Sequence, residues 1–353
     1  MARIELDGVT KRFGDFVAVD AFDLDIPDGS FVALLGPSGC GKSTTMNMIS
    51  GLESPTTGEL RFDGKLINDV PAGSRDVGFV FQSYAIFTHM SAYDNIAYGL
   101  RVRKAAPADI ERKVLEVARL LDIEPLLQRR PKQLSVNDLQ KVAIGRSMIV
   151  EPAIFLLDEP FSNLDAGFRA FMRAELKALQ RRLNQTMIYV THDQVEAMSM
   201  AEHIAIMDQG RLQQHGTPDE VYSQPANRFV AEFVGSTKMN FLPAEVVGGS
   251  IRIDMPEAAP LSYSGPHVGA VTLGIRPECL HLEAATTAGQ WRGEIDLVEP
   301  LGARTIYHVR SGEQRFRVAA PPTLGLTLGE AVSVQIDADR LHLFDNATGL
   351  VVR

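Results

Sequence analysis

The segment Gly36-Pro37-Ser38-Gly39-Cys40-Gly41-Lys42-Ser43-Thr44 constrains this chain more than any other stretch. Gly36, Gly41, Lys42 and Ser43 stand in the spacing G-x-x-x-x-G-K-[ST]. The apolar run Phe31–Leu35 precedes them, and a helix-periodic stretch from Lys42 to about Ser50 follows. Strand, glycine-rich loop and helix in that order are the context such a loop needs. Glycines let backbone N–H groups curl around phosphate oxygens with no Cβ in the way. The helix N-terminus adds positive potential. Lys42 is then the candidate contact to the β- and γ-phosphates, and the Ser43 hydroxyl the candidate Mg²⁺ ligand.

The apolar run Ile154-Phe-Leu-Leu157 ends in Asp158 and Glu159. A carboxylate at the C-terminal end of a strand faces the ligand crevice of a parallel sheet. Asp158 is the candidate to hold Mg²⁺, and Glu159 the candidate general base for an attacking water. Downstream of a phosphate loop, this pair reads as a nucleoside triphosphatase.

The rest of the chain is consistent with a large α/β enzyme carrying an additional β domain. Its 353 residues suggest two domains. Repeated alternation of helical stretches (108–121, 167–183, 194–200) with strand-like runs (154–157, 187–190, 204–207) predicts a parallel sheet covered on both faces. After about Gly235 the texture changes to short alternating runs separated by Gly and Pro, at 251–255, 271–275, 294–298, 305–309, 332–336 and 341–344. These predict a small β-barrel or sandwich. The expected division is a nucleotide-binding domain over 1–235, with a helical subdomain at about 84–150, followed by a β-barrel domain over 236–353. A net charge of −9 argues against nucleic acid as a partner. No run approaches the ~20 apolar residues that cross a bilayer. The N-terminus lacks the apolar stretch of a secretory signal. Cys40 and Cys279, the two cysteines, imply no disulfide framework. A reduced cytosolic setting is expected, with contact to a membrane complex left open.

Further segments appear in a telling order: Gln82 in VFQSY, Ser135 in QLSVND, Asp165 in SNLDA and His192 in VTHD. With the phosphate loop they resemble an ATP-binding-cassette (ABC) transporter ATPase. The likeness spans nearly the whole chain and is closest to the carbohydrate-importer branch, the maltose and glycerol-3-phosphate type. FVFQSYAIF, HMSAYDNIAYGL, VAIGRS, LLDEPFSNLDA, RFVAEFVGSTKMNF and GIRPE carry it. The resemblance implies an α/β P-loop domain with antiparallel β and helical subdomains, followed by a C-terminal all-β, OB-like regulatory domain. It implies ATP and Mg²⁺ as cofactors, with Ser43, Gln82 and Asp158 around the metal. Phe13 is implied to stack on adenine, and residues 36–44 to cradle the phosphates. Gln82 is implied to sense the γ-phosphate and Mg²⁺ and to link the site to the membrane subunit, His192 to contact the γ-phosphate, Glu159 to act as the base, and Asp165 to communicate across a dimer. Ser135 and Asn137 are implied to reach the partner subunit's ATP. The implied partners are transmembrane permease subunits, a second ATPase subunit and, indirectly, a solute-binding protein, at the cytoplasmic face of the inner membrane. Import of polyamine or ferric iron is the alternative within the family, and a soluble non-transport ABC ATPase the alternative outside it.

One segment departs from the family. The signature LSGGQ reads Leu134-Ser135-Val136-Asn137-Asp138 here. Asn137 can take a left-handed backbone in place of glycine, which would keep the geometry. Val136 is stiff, and Asp138 brings a negative charge toward a phosphate unless it is hydrogen-bonded. Because the P-loop, Gln82, Asp158, Glu159 and His192 are intact while the signature is not, a heterodimer with a second, intact cassette is favoured over a homodimer.

Overall fold

The computed structural model describes residues 2–162, 164, 166–255, 258–284 and 291–352. Two compact units divide the chain, Met1–Pro218 and Asp219–Arg353.

In the first unit a six-stranded sheet runs in the order β10-β9-β3-β8-β7-β6. Its strands are β3 (Phe31–Leu35), β6 (Val77–Val80), β7 (Ile154–Asp158), β8 (Thr186–Thr191), β9 (His203–Asp208) and β10 (Arg211–Gly216). The first five pair in parallel, and β10 closes the edge antiparallel to β9. Every residue of β3 and β8 is buried, as expected for strands covered on both faces. That double burial is why they read in the sequence as unbroken apolar runs. A second, antiparallel sheet in the order β2-β1-β4-β5 comprises β1 (Ile4–Phe13), β2 (Phe16–Ile26), β4 (Thr57–Phe62) and β5 (Lys65–Leu66). Only one of its faces is packed. Ile4, Leu6 and Val9 are buried on β1 while Asp7 is exposed, which gives the alternating pattern.

Helix α1 (Lys42–Ser50) follows β3 directly. Helices α2 (Ala92–Val102), α3 (Pro107–Leu120) and α4 (Val136–Met148) form the helical part between β6 and β7, within the expected 84–150 region. Helix α3 begins with Pro at its first turn and buries the stripe Ile110, Val114 and Val117. Buried Asn95 of α2 accepts from the Phe87 N–H and donates to the Phe87 and Ser91 carbonyls, fixing the loop that enters the helix. Helices α5 (Ala166–Leu183) and α6 (Gln194–Met200) flank β8 in the chain.

The second unit opens with the short helices α7 (Pro218–Ser223, which starts on the last residue of the first unit) and α8 (Arg228–Phe233). Strands begin at Asn240, shortly after the change of texture expected near Gly235. One sheet runs β13-β12-β11-β14-β20-β21 and the other β15-β19-β16-β17-β18. The first comprises β11 (Asn240–Val247), β12 (Ser250–Ile253), β13 (Leu261–Ser262), β14 (Gly269–Ile275), β20 (Leu341–Asp345) and β21 (Val351–Val352). The second comprises β15 (Leu280–Ala284), β16 (Trp291–Pro300), β17 (Thr305–Ser311), β18 (Gln314–Ala320) and β19 (Ala331–Ile336). All their pairings are antiparallel. Fully buried Trp291 packs edge-on against Phe316, with ring centroids 5.6 Å apart. The run expected over 251–255 is a strand only to Ile253, since the chain turns before Met255.

Candidate active site at the C-terminal edge of the parallel sheet

Four neighbouring parallel strands end at one edge, and each delivers a candidate residue just past its last turn of ladder. Strand β3 leads into residues 36–44, β6 into Gln82, β7 into Asp158 and Glu159, and β8 into His192. The parallel register forces this convergence, because C-terminal ends of parallel strands lie side by side.

The loop after β3 is tightly enclosed at its base and open at its crest. A Cβ at Gly36 would lie 2.3 Å from the Met207 carbonyl oxygen, and one at Gly41 would lie 2.6 Å from that of Ala18. Gly41 also sits at φ 106°, which no L side chain takes comfortably. Ser38 and Gly39 are exposed at the crest, Pro37 is partly exposed and Cys40 is buried beneath. The Lys42 ammonium folds over the loop and donates to the Gly36 carbonyl at 2.9 Å and the Pro37 carbonyl at 2.8 Å, holding the curl closed. Burial pushes the Cys40 thiol above its ordinary pKa, so it stays protonated beside Lys42. Ser43 and Thr44 fall in the first turn of α1.

The acidic pair meets this loop. The Ser43 hydroxyl donates to Asp158 Oδ1 at 3.3 Å. Burial raises the Asp158 carboxyl above the usual carboxylate range, with Ser43 pulling the other way and the charge of Glu159 adding to the rise. Glu159 sits on left-handed backbone at φ 43°. Its N–H is tied to the Val190 carbonyl at 3.0 Å. Strain of that kind in a non-glycine residue persists only where the surroundings enforce it. The side chain is bracketed: Gln82 Nε2 donates to Oε2 at 3.2 Å and His192 Nδ1 lies 3.0 Å from Oε1. The structure thus brings Gln82, Asp158, Glu159, His192 and Ser43 together. The hydroxyl, carboxylate and amide oxygens here suit a hard cation such as Mg²⁺. Among the described residues no cluster of three or more His, Cys, Asp or Glu could hold a metal without help, and Mg²⁺ commonly completes its shell with water and phosphate.

Phe13 lies apart from this cluster, at the β1–β2 turn, 47% exposed with the Lys11 ammonium 4.8 Å above its ring. An exposed aromatic with a free face can stack on a flat ligand. Asp165 lies outside the described residues.

Ser135 caps α4, and Asn137 is an ordinary helical residue in its first turn. The left-handed backbone open to Asn137 is not taken, because the helix begins at Val136 and imposes its own dihedrals. Asp138 closes a capping box: its carboxylate accepts from the Ser135 N–H at 3.1 Å and from the Ser135 hydroxyl at 2.8 Å. The Asp138 N–H donates back to Ser135 Oγ at 3.2 Å.

Several positioning residues carry no motif. Buried Glu196 accepts from the hydroxyls of Tyr189 at 2.7 Å and Thr191 at 2.6 Å. Asp193 caps α6 and pairs with Arg169 at 3.2 Å. Together they pin the turn that presents His192. Arg146 of α4 donates to the carbonyls of Tyr84 and Ala85 at 3.1 and 2.7 Å. Both of those residues have positive φ, just after Gln82. The only sequence hint was that Arg146 and Asp193 lie inside the quoted segments VAIGRS and VTHD.

A phosphate loop facing a strand-end acid pair, with a glutamate held between an amide and an imidazole, defines a P-loop nucleoside triphosphatase. Comparison with known proteins narrows the class. The ABC transporter family model matches residues 19–162, and a TOBE domain model matches 273–344. The chain is 45% identical to the trehalose/maltose import ATP-binding protein MalK of Thermococcus litoralis, over 100% of both chains. It is 43% identical to the sn-glycerol-3-phosphate import ATP-binding protein UgpC 1 of Rhizobium johnstonii, over 100% of this chain and 96% of that one. Among solved structures, a dimeric bacterial ABC transporter cassette matches with TM-score 0.56 at 30% identity, covering 61% of this chain and 98% of its own. CbiO1 of Clostridium perfringens, part of an ABC transporter complex, matches with TM-score 0.59 at 27% identity, covering 63% and 90%. The chain therefore belongs to the ABC transporter family, as an ATP-binding, ATP-hydrolysing subunit with a C-terminal TOBE domain. Among the described residues no helix is long and apolar enough to cross a membrane.

Proposed function

We propose that this chain hydrolyses ATP to drive uptake of a sugar, polyol or glycerol-type solute through partner permease subunits at the cytoplasmic face of the inner membrane. The observation that carries the hydrolytic reading is the bracketing of Glu159 by Gln82 and His192 opposite the phosphate loop. The cargo reading rests on relatives named for trehalose, maltose and glycerol-3-phosphate import.

In this mechanism ATP lies with its adenine on Phe13 and its phosphates along residues 36–44. The Lys42 ammonium exchanges its loop carbonyls for β- and γ-phosphate oxygens, a charge-assisted contact stronger than the one it leaves. Ser43, Asp158 and Gln82 would hold Mg²⁺, which neutralises phosphate charge. Glu159 accepts a proton from the water that attacks the γ-phosphorus, and the bond to the ADP oxygen breaks as the new P–O bond forms. His192 orients Glu159 and donates toward the γ-phosphate. Asp165 serves the dimer interface.

We also propose that the chain pairs with a second, intact cassette. The Ser135 hydroxyl is already given to Asp138, so a partner's γ-phosphate meets a hydroxyl oxygen and a carboxylate where a donor is needed. Losing one preorganised donor slows hydrolysis by about 100- to 1000-fold. The complementary site, with this chain's Glu159 and the partner's signature, would carry turnover. Mass spectrometry of the intact transporter tests this: two copies of this chain with equal turnover at both sites overturn the heterodimer. We place the functional division at 1–235 for nucleotide chemistry and 236–353 for regulation, since every nucleotide-site residue lies before 235.

The cargo is tested by reconstituting the chain with its permease and solute-binding protein in vesicles. ATP turnover should rise several-fold with a sugar or glycerol-type solute. Stimulation by spermidine or ferric ion alone would overturn the carbohydrate reading and favour the polyamine or iron reading.

A further inference from the structure

A half-exposed ring at the end of a hairpin keeps much of its rotamer freedom, and a ring that turns is a poor stacking surface. Phe13 is in that position. It ends β1 directly opposite Phe16, across a turn in which Gly14 takes φ 59°. One neighbour restrains it: the Lys11 ammonium stands over one face, 4.8 Å from the centre of the ring.

Lys11 is not a loose surface lysine. Its side chain is only 12% exposed, and its ammonium pairs with Glu53 at 2.8 Å and donates to the Ser54 carbonyl at 2.9 Å. Both partners belong to the loop that leaves α1. That loop is tied back to the helix, because the N–H groups of Leu52 and Glu53 donate to the Asn47 carbonyl at 2.9 and 3.1 Å. It is tied to β1 as well. The Thr56 N–H donates to the Thr10 carbonyl at 2.7 Å, and the Arg12 N–H donates to the Thr56 hydroxyl at 2.9 Å. Lys11 therefore stands on a frame continuous with α1, whose other end begins at the phosphate loop.

We propose that Lys11 is a positioning residue for the nucleotide base. It grips one face of Phe13 and leaves the other, in fixed register with the phosphate loop, for adenine. The proposal rests on the ATP reading above, in which Phe13 carries the base. The charge has a second effect: a cation behind the ring draws its π electrons away from the base and eases the repulsion between two stacked π systems. Lys11 has no part in holding phosphate. An ammonium has three donors, and these are committed to Glu53, Ser54 and the ring. Lys42 and Lys11 thus divide the ligand between them, one on the phosphates and one behind the base.

The test is calorimetric titration of the full chain with ATP and, separately, with inorganic tripolyphosphate, both with Mg²⁺. Salt at about 0.15 M screens the Glu53 charge that the substitution leaves behind. Lys11→Met keeps the apolar stem and deletes the charge. It should weaken ATP binding about fivefold and leave tripolyphosphate binding unchanged. Lys11→Arg, whose guanidinium also stacks on an aromatic face, should restore ATP affinity to within about twofold. In a Phe13→Ala background Lys11→Met should cost nothing further, because the ring it acts through is gone. Equal loss of both ligands in Lys11→Met overturns the proposal and places Lys11 in the folding of the loop after α1. Additive losses in the double variant overturn it too. Weakened ATP binding in Phe13→Ala with full binding in Lys11→Met overturns the role of Lys11 and keeps the base on Phe13. Full ATP binding in Phe13→Ala removes the base from Phe13 and the proposal with it.

Discussion

Two helix starts in the first unit, one capped from positive φ at Gly41 and one from extended backbone at Ser135, have opposite electrical character. Helix α1 begins at Gly41, which has no side chain to cap it, and its first turn, Lys42-Ser-Thr-Thr45, carries no acid. Its amide dipoles are left for a ligand, and the exposed crest of residues 38 and 39 lies before them. Helix α4 begins at Ser135, and Asp138 folds back onto both the Ser135 hydroxyl and its N–H. Here the chain has supplied its own anion. A helix N-terminus is an anion site only when no carboxylate of the same chain has claimed it. Glycine at one start and aspartate in the other's first turn decide that.

Gly41→Val attacks the open start most severely. The new Cβ collides with the Ala18 carbonyl on forbidden backbone, so ATP binding should fall more than about a thousandfold in equilibrium titration, by the loss of several preorganised donors at once. Retained binding would mean the loop does not cradle phosphate. Asp158→Asn should cost about a hundredfold in Mg²⁺-dependent turnover and should raise the melting temperature at neutral pH. The sign follows from burial: a carboxyl whose pKa is raised in the fold favours folding only in its protonated form, below the ordinary carboxylate pKa, and loses that contribution as pH rises through the raised value. An unchanged or lowered melting temperature would contradict the burial argument. Arg169→Ala should loosen the His192 turn through Asp193, lowering turnover about tenfold with ATP affinity unchanged; a parallel loss of affinity would instead mark a folding defect. Asp138→Ala should have the smallest effect on the fold, a loss of about 1 kcal/mol for the cap. It should also release the Ser135 hydroxyl and so raise, not lower, turnover at the site this signature faces. A drop in turnover would show that the closed start of α4 is the working form.

The open start was legible in the sequence because its chemistry is local: residues 36–44 contain the turn, the lysine and the helix in one stretch. Asp158 and Glu159 were legible because a doubly buried strand leaves an apolar run with an acid at its end. The contacts that aim Glu159 were not legible. Gln82 and His192 arrive from neighbouring strands, and only the parallel register sets them within 3.2 and 3.0 Å of that carboxylate. Arg146 was hidden because it stabilises strained backbone 61 and 62 residues away in the chain. The capping box went unread for a different reason. Asn137 was weighed as a substitute for glycine, whereas the S-x-x-D spacing of Ser135 and Asp138 had already fixed a helix start there. In the second unit the central strands were visible by alternation. Edge strands such as Leu261–Ser262 and Val351–Val352 were too short to show a period.

The decisive measurement is pre-steady-state hydrolysis by Glu159→Gln beside the unaltered chain, each assembled in its transporter, with bound ATP quantified on the same samples. If Glu159 is the base at the open helix start, the variant binds ATP as tightly as the unaltered chain and forms phosphate about a thousandfold more slowly. Phosphate formation at the unaltered rate would remove Glu159 from the chemistry, and with it the claim that this sheet edge is the hydrolytic centre.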